Sequence, residues 1–156
     1  MYNINAIMPH MNKADTRLVL KRTLQAPVEQ VYRAWTTPSL IMRWFAPGDM
    51  TVPQAQADVR EGGSYRITMQ EPDGESYTTY GTYQQVVPNE RLVQTWQWEG
   101  SQEQTLLTIE FRALGERTTE LTLTHERFAT VEAKNQHQDG WQGCLQKLEA
   151  ALAGKI

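Results

Sequence analysis

Hydrophobic and polar positions alternate along most of this chain and give way, near its end, to helical spacing. Leu18, Leu20 and Leu24 alternate with Val19, Lys21 and Thr23, which predicts a strand whose apolar face is broken only by Arg22. Behind Ala26-Pro27, the residues Val28, Val31, Tyr32 and Trp35 fall on one helical face. Proline suits a first helical position because the amide hydrogen it lacks has no partner there. Thr37-Pro38 repeats the signal with Thr37 as cap, and predicts a second short helix carrying Ile41, Trp44 and Phe45 toward Pro47-Gly48.

From Thr51 to Arg127 the period is two. The runs 51-59, 63-70, 76-87, 91-98, 104-113 and 118-127 are joined by turn chemistry at Glu61-Gly62-Gly63, Pro72-Asp73-Gly74, Pro88-Asn89, Glu99-Gly100-Ser101 and Leu114-Gly115-Glu116. Such a succession predicts an antiparallel meander with one apolar face. Glu132 to Leu152 then carries Trp141, Leu145, Leu148 and Leu152 as a single helical stripe. The expected fold is α+β: a twisted, seven-stranded antiparallel sheet gripping a long C-terminal helix, with two short helices after the first strand. Residues 17-156 are expected to form one domain. Met1 to Thr16 has no clear period and is expected to be a loose arm, with Met8 and Met11 as alternative starts.

Composition narrows the function classes. A chain of 156 residues suits one domain and buries a sizeable core without staples. The net charge of -3 and the absence of a Lys/Arg cluster argue against a nucleic-acid partner. Cys144 is the single cysteine, so an internal disulfide and a multi-cysteine metal site are excluded, and a reducing compartment fits. No apolar run is long enough for membrane insertion, and the start of the chain lacks the regions of a signal peptide, which makes the cytoplasm the expected location.

With the apolar faces turned toward the long helix, the interior receives Tyr65, Ile67 and Met69, then Trp96 and Trp98, then Leu107, Ile109 and Phe111, then Leu121, Leu123 and His125. His137 lies one helical turn before Trp141. Apolar and aromatic walls with a few convergent polar groups are the ordinary make-up of a small-molecule pocket. The candidate lining is Trp44, Phe45, Tyr65, Met69, Trp96, Trp98, His125, His137 and Trp141, with Tyr80 as a further polar supplier. The same residues also serve as plain core, because aromatics bury large areas without any guest. The two readings separate on whether space remains between sheet and helix.

Catalysis and metal binding draw little from the pattern. No Ser-His-Asp or Cys-His arrangement is readable from local spacing, and Cys144 falls beside the apolar stripe as a small buried hydrophobe would. His125 and His137 are separated by a turn and a helix start, and no compact His/Asp/Glu ligand set is evident. No metal and no cofactor are expected; an acid–base catalyst here would be His125 or His137. Arg60, Arg66, Arg91, Arg112 and Arg117, with Glu90, Glu110 and Glu120, read as the solvated outer face of the sheet.

The segments Ala26-Pro27 through Ala34-Trp35, Arg43-Trp44-Phe45, Glu61-Gly62-Gly63-Ser64-Tyr65, Gly81-Thr82-Tyr83 leading to Pro88-Asn89-Glu90-Arg91-Leu92-Val93, Leu121 through His125, and Gly140-Trp141 through Cys144-Leu145-Leu148 occur in an order that resembles the SRPBCC, or START-like, superfamily. Within it the chain is similar to the branch of the C-terminal domain of the activator of the heat-shock-protein-90 ATPase. The resemblance implies the helix-grip fold. It implies a role among ligand carriers, antibiotic-sequestering proteins and chaperone activators, without naming a guest. The expected function is noncovalent binding of a small hydrophobic or aromatic molecule between the sheet and the last helix. A chaperone-associated protein-interaction module is the alternative, and a His-dependent enzyme using the same cavity is a second one. A homodimer is left open.

Overall fold

The computed structural model describes residues 16–154; the expected arm, apart from Thr16, lies outside them. Strand β1 (Leu18–Leu24) leads into helices α1 (Val28–Thr36) and α2 (Pro38–Ile41). The chain continues through β2 (Thr51–Ala57), β3 (Ser64–Gln70), β4 (Ser76–Val87), β5 (Arg91–Trp98), β6 (Gln104–Gly115) and β7 (Thr118–Glu126), and closes with α3 (Val131–Leu152). The strands form one 7-stranded sheet in the order β1-β7-β6-β5-β4-β3-β2. Every neighbouring pair is antiparallel. Because β1 and β2 occupy opposite edges, α1 and α2 carry the chain from one side of the sheet to the other. The sheet curls into a half-barrel around α3, the helix-grip arrangement.

Register explains the core. Leu18 pairs with His125, which pairs in turn with Leu107 and that with Gln94; one step along, Leu20, Leu123, Ile109 and Leu92 form a parallel row. Strict alternation puts these rows on the concave face, where all eight side chains are buried. Trp141, Cys144, Leu145 and Leu148 of α3 meet them, and burial of each large apolar side chain contributes roughly 1.5–3 kcal/mol. Arg22 is half-buried on the inner side of β1, and its guanidinium donates to the Lys21 carbonyl oxygen. The convex face carries exposed ion pairs such as Arg66–Glu99 at 2.7 Å and Arg91–Glu110 at 3.3 Å, each contributing little to stability.

Three local expectations are corrected. Pro27 stands at the N-cap of α1 rather than inside the helix. Thr37 makes no side-chain cap bond; its own carbonyl accepts the amides of Leu40 and Ile41, both at 2.9 Å, so the Leu40 amide, one of the two usual donors to a cap hydroxyl, bonds the backbone instead. The second helix also ends at Ile41 instead of running to Phe45. Trp44 and Phe45 are fixed by a tight turn in which both amides return to the Ile41 carbonyl, at 3.2 and 3.1 Å. By contrast, α3 has a working N-cap, with the Thr130 hydroxyl accepting from the Ala133 amide at 3.0 Å. Among the described residues no helix is long and apolar enough to cross a membrane.

Candidate ligand cavity

A cavity of about 570 Å³ opens between one half of the sheet and α3. Phe45, Pro47 and Met50 come to its wall from the turn after α2; Met69, Tyr77, Trp96 and Trp98 come from β3, β4 and β5; Gln136, His137, Gly140, Trp141 and Cys144 come from α3. Met69 and Tyr77 are direct cross-strand partners, and the α3 residues recur at helical spacing, so two periodicities converge on one space. The volume falls within the roughly 300–1,000 Å³ of small-molecule pockets.

Glycine shapes the helical wall. A Cβ on Gly143 would stand 3.0 Å from Pro47 Cβ and 3.3 Å from its Cα, whereas one on Gly140 would meet nothing nearer than Pro47 Cγ at 4.0 Å. Gly143 thus lets the turn after α2 approach the helix, and Gly140 leaves room in the cavity. Lys147 ties the same turn down, its ammonium donating to the Met50 carbonyl at 3.0 Å.

The indoles and imidazoles form two directed chains. Trp98 Nε1–H donates to His137 Nε2 at 2.9 Å, which requires an unprotonated Nε2; the proton is then on Nδ1, which donates to the Ala133 carbonyl at 2.7 Å. Trp141 Nε1–H donates to His125 Nδ1 at 3.1 Å, so His125 carries its proton on Nε2 and donates to Thr105 Oγ1 at 2.7 Å; that hydroxyl donates to the Trp96 carbonyl at 3.2 Å. Both histidines are neutral in these chains. Burial pushes the His125 pKa well below its ordinary value, with His137 adding to the effect, and burial also lowers that of His137 against the opposing bond to Ala133. Burial raises the Cys144 thiol to about 12, with the Lys147 ammonium opposing, so the thiol stays protonated.

The expected residues divide into two groups. Phe45, Met69, Trp96, Trp98, His137 and Trp141 are brought together on the cavity wall. Trp44, Tyr65 and His125 stand outside it. Trp44 donates to the Ala34 carbonyl at 3.0 Å and borders a second hollow of about 310 Å³ beside α1 and the end of α3. Tyr65 donates to the Thr95 carbonyl at 2.6 Å beneath the sheet surface, and Tyr80 is half-buried away from the wall. His125 is fully buried behind Trp141 and holds it in place. Sequence reasoning missed Pro47, Met50, Tyr77, Gln136, Gly140 and Cys144 as wall residues. Two glycines three apart inside a long helix, where each costs about 1 kcal/mol relative to alanine, were the available signal. Among the described residues no group of three or more His, Cys, Asp or Glu is placed to hold a metal ion.

Comparison with known proteins agrees with the fold. The profile of the family described as activator of Hsp90 ATPase homolog 1-like protein matches residues 25–153. The chain belongs to this family. Among solved structures, a protein from Nitrosomonas europaea has 26% identity and a TM-score of 0.78, covering 91% of this chain and 97% of that one. A protein from Chromobacterium violaceum, also 26% identical with a TM-score of 0.78, covers 88% and 96%. The AHSA1 protein from Silicibacter pomeroyi, at 23% identity and a TM-score of 0.79 over 90% and 99%, shares the fold. No curated protein matches the chain.

Proposed function

We propose that this family member binds a small hydrophobic or aromatic molecule noncovalently in the cavity between β3–β5 and α3. The observation that carries this reading is space: about 570 Å³ remains beside five aromatic rings, Phe45, Tyr77, Trp96, Trp98 and Trp141, instead of being filled by them. Met50 and Met69 add deformable, polarisable surface suited to an apolar guest. Titration with Nile red, a neutral fluorophore, should show saturable binding with loss of tryptophan emission. The variant Trp98→Ala/Trp141→Ala, checked for folding by circular dichroism, should lose that binding; retained binding would contradict the assignment.

The alternative, docking to a chaperone, draws its support from the family description. Its distinguishing test is capture of a chaperone by a variant whose cavity has been filled. A histidine-dependent reaction finds less support, because every ring nitrogen of His125 and His137 already has a hydrogen-bond partner.

A further inference from the structure

The charge of the guest follows from what the wall lacks. None of its twelve residues is Lys, Arg, Asp or Glu. Most of its stronger hydrogen-bonding groups are already engaged: the Trp98 indole with His137, the Trp141 indole with His125, and the second His137 nitrogen with Ala133. What remains is neutral: the Trp96 indole N–H, buried without a partner; the amide of Gln136 and the hydroxyl of Tyr77, both on exposed residues at the mouth; and the protonated thiol of Cys144 within. A charged headgroup entering this space would exchange water for aromatic and thioether surface with no opposite charge among the wall residues, which is costly.

The mouth adds a sign. The β3–β4 hairpin next to Tyr77 carries Glu71, Asp73 and Glu75, and these carboxylates act on the Tyr77 phenol, reinforcing desolvation in raising its pKa. An approaching anion would meet their negative potential. The ammonium that touches the wall, Lys147 Nζ, is bound to a backbone oxygen of Met50.

Building on the reading that the cavity takes a small apolar guest, we propose that it selects uncharged ring-containing molecules and turns away carboxylate- or phosphate-bearing amphiphiles of the same shape. The test compares pyrene-1-carboxamide with pyrene-1-carboxylate near neutral pH and low salt, reading energy transfer from tryptophan to pyrene. The carboxamide should bind saturably and the carboxylate at least about tenfold more weakly. Gln136→Lys, a change at an exposed helix position, should narrow the gap by strengthening carboxylate binding. Equal affinities in the unaltered protein would overturn charge selection while leaving the cavity assignment standing. A gap that Gln136→Lys leaves unchanged would overturn its electrostatic origin. Absence of transfer with either probe would overturn both the selection and the cavity assignment.

Discussion

Trp98 and His137 join the end of β5 to the first half of α3 through an indole N–H that reaches an imidazole nitrogen at 2.9 Å. Both side chains border the cavity, so the bond fixes one side of its wall. Trp98→Phe keeps most of the ring and removes the donor. The expected cost is about 0.5–1.5 kcal/mol of stability, accompanied by a rise of the His137 pKa toward its ordinary value because the freed nitrogen gains access to water. Chemical denaturation and an imidazole proton titration by NMR check the two effects; an unchanged titration would show that the bond does not hold the neutral form.

The paired imidazoles also set a pH dependence. For His125 and His137 the folded-state pKa lies below the ordinary 6.5, so below that pH the unfolded chain binds more protons than the folded one. Their contribution to stability is complete above pH 6.5 and is lost as pH falls below it toward the folded-state values. Each contributes a slope of up to about 1.4 kcal/mol per pH unit in that window. Urea midpoints measured from neutral pH down to mild acid should decline accordingly, and His137→Gln should flatten part of the decline. A constant midpoint across the window would rule this out.

The glycines separate by their surroundings. Gly140→Ala should stabilise α3 by about 1 kcal/mol, since its Cβ would stand 4.0 Å from the nearest atom. Gly143→Ala should gain less or lose, because its Cβ presses on Pro47 and displaces the turn after α2. Gly81→Ala should be the most damaging: the added Cβ would overlap the Thr95 carbonyl oxygen, the acceptor for Tyr65. Thermal unfolding of the three variants gives the order directly.

Cys144 supplies a reporter of the cavity. It is buried on the wall with its thiol pushed up to about 12, so modification by a maleimide at neutral pH should be slow. A bound guest should slow it further. Rapid labelling indifferent to Nile red would place the guest elsewhere.

The architecture was legible because the sheet's alternation and the α3 stripe each follow a single period, and residues such as Leu107, Ile109, Leu123 and Leu145 bury where that period puts them. Trp96, Trp98 and Trp141 reached the cavity wall for the same reason. His125 satisfied the alternation equally well but lies behind Trp141; depth within a face is a tertiary property that strand period does not encode. Trp44 and Phe45 are adjacent in sequence and yet divide between core and wall, because the turn after Ile41 rotates one inward under Ala34 and the other toward Trp141. Pro47 and Met50 belong to irregular backbone, and their place on the wall depends on Gly143 and Lys147 holding that turn against α3.

Filling the cavity without unsettling the fold tests the central claim most directly. Gly140→Leu replaces a helix-interior glycine with a stronger helix former and sends an apolar side chain into the vacant space. Nile red titration alongside thermal unfolding of this variant should show binding weakened at least about tenfold with the melting temperature equal or higher. Full binding in a variant of equal or higher melting temperature would contradict a guest site between sheet and helix.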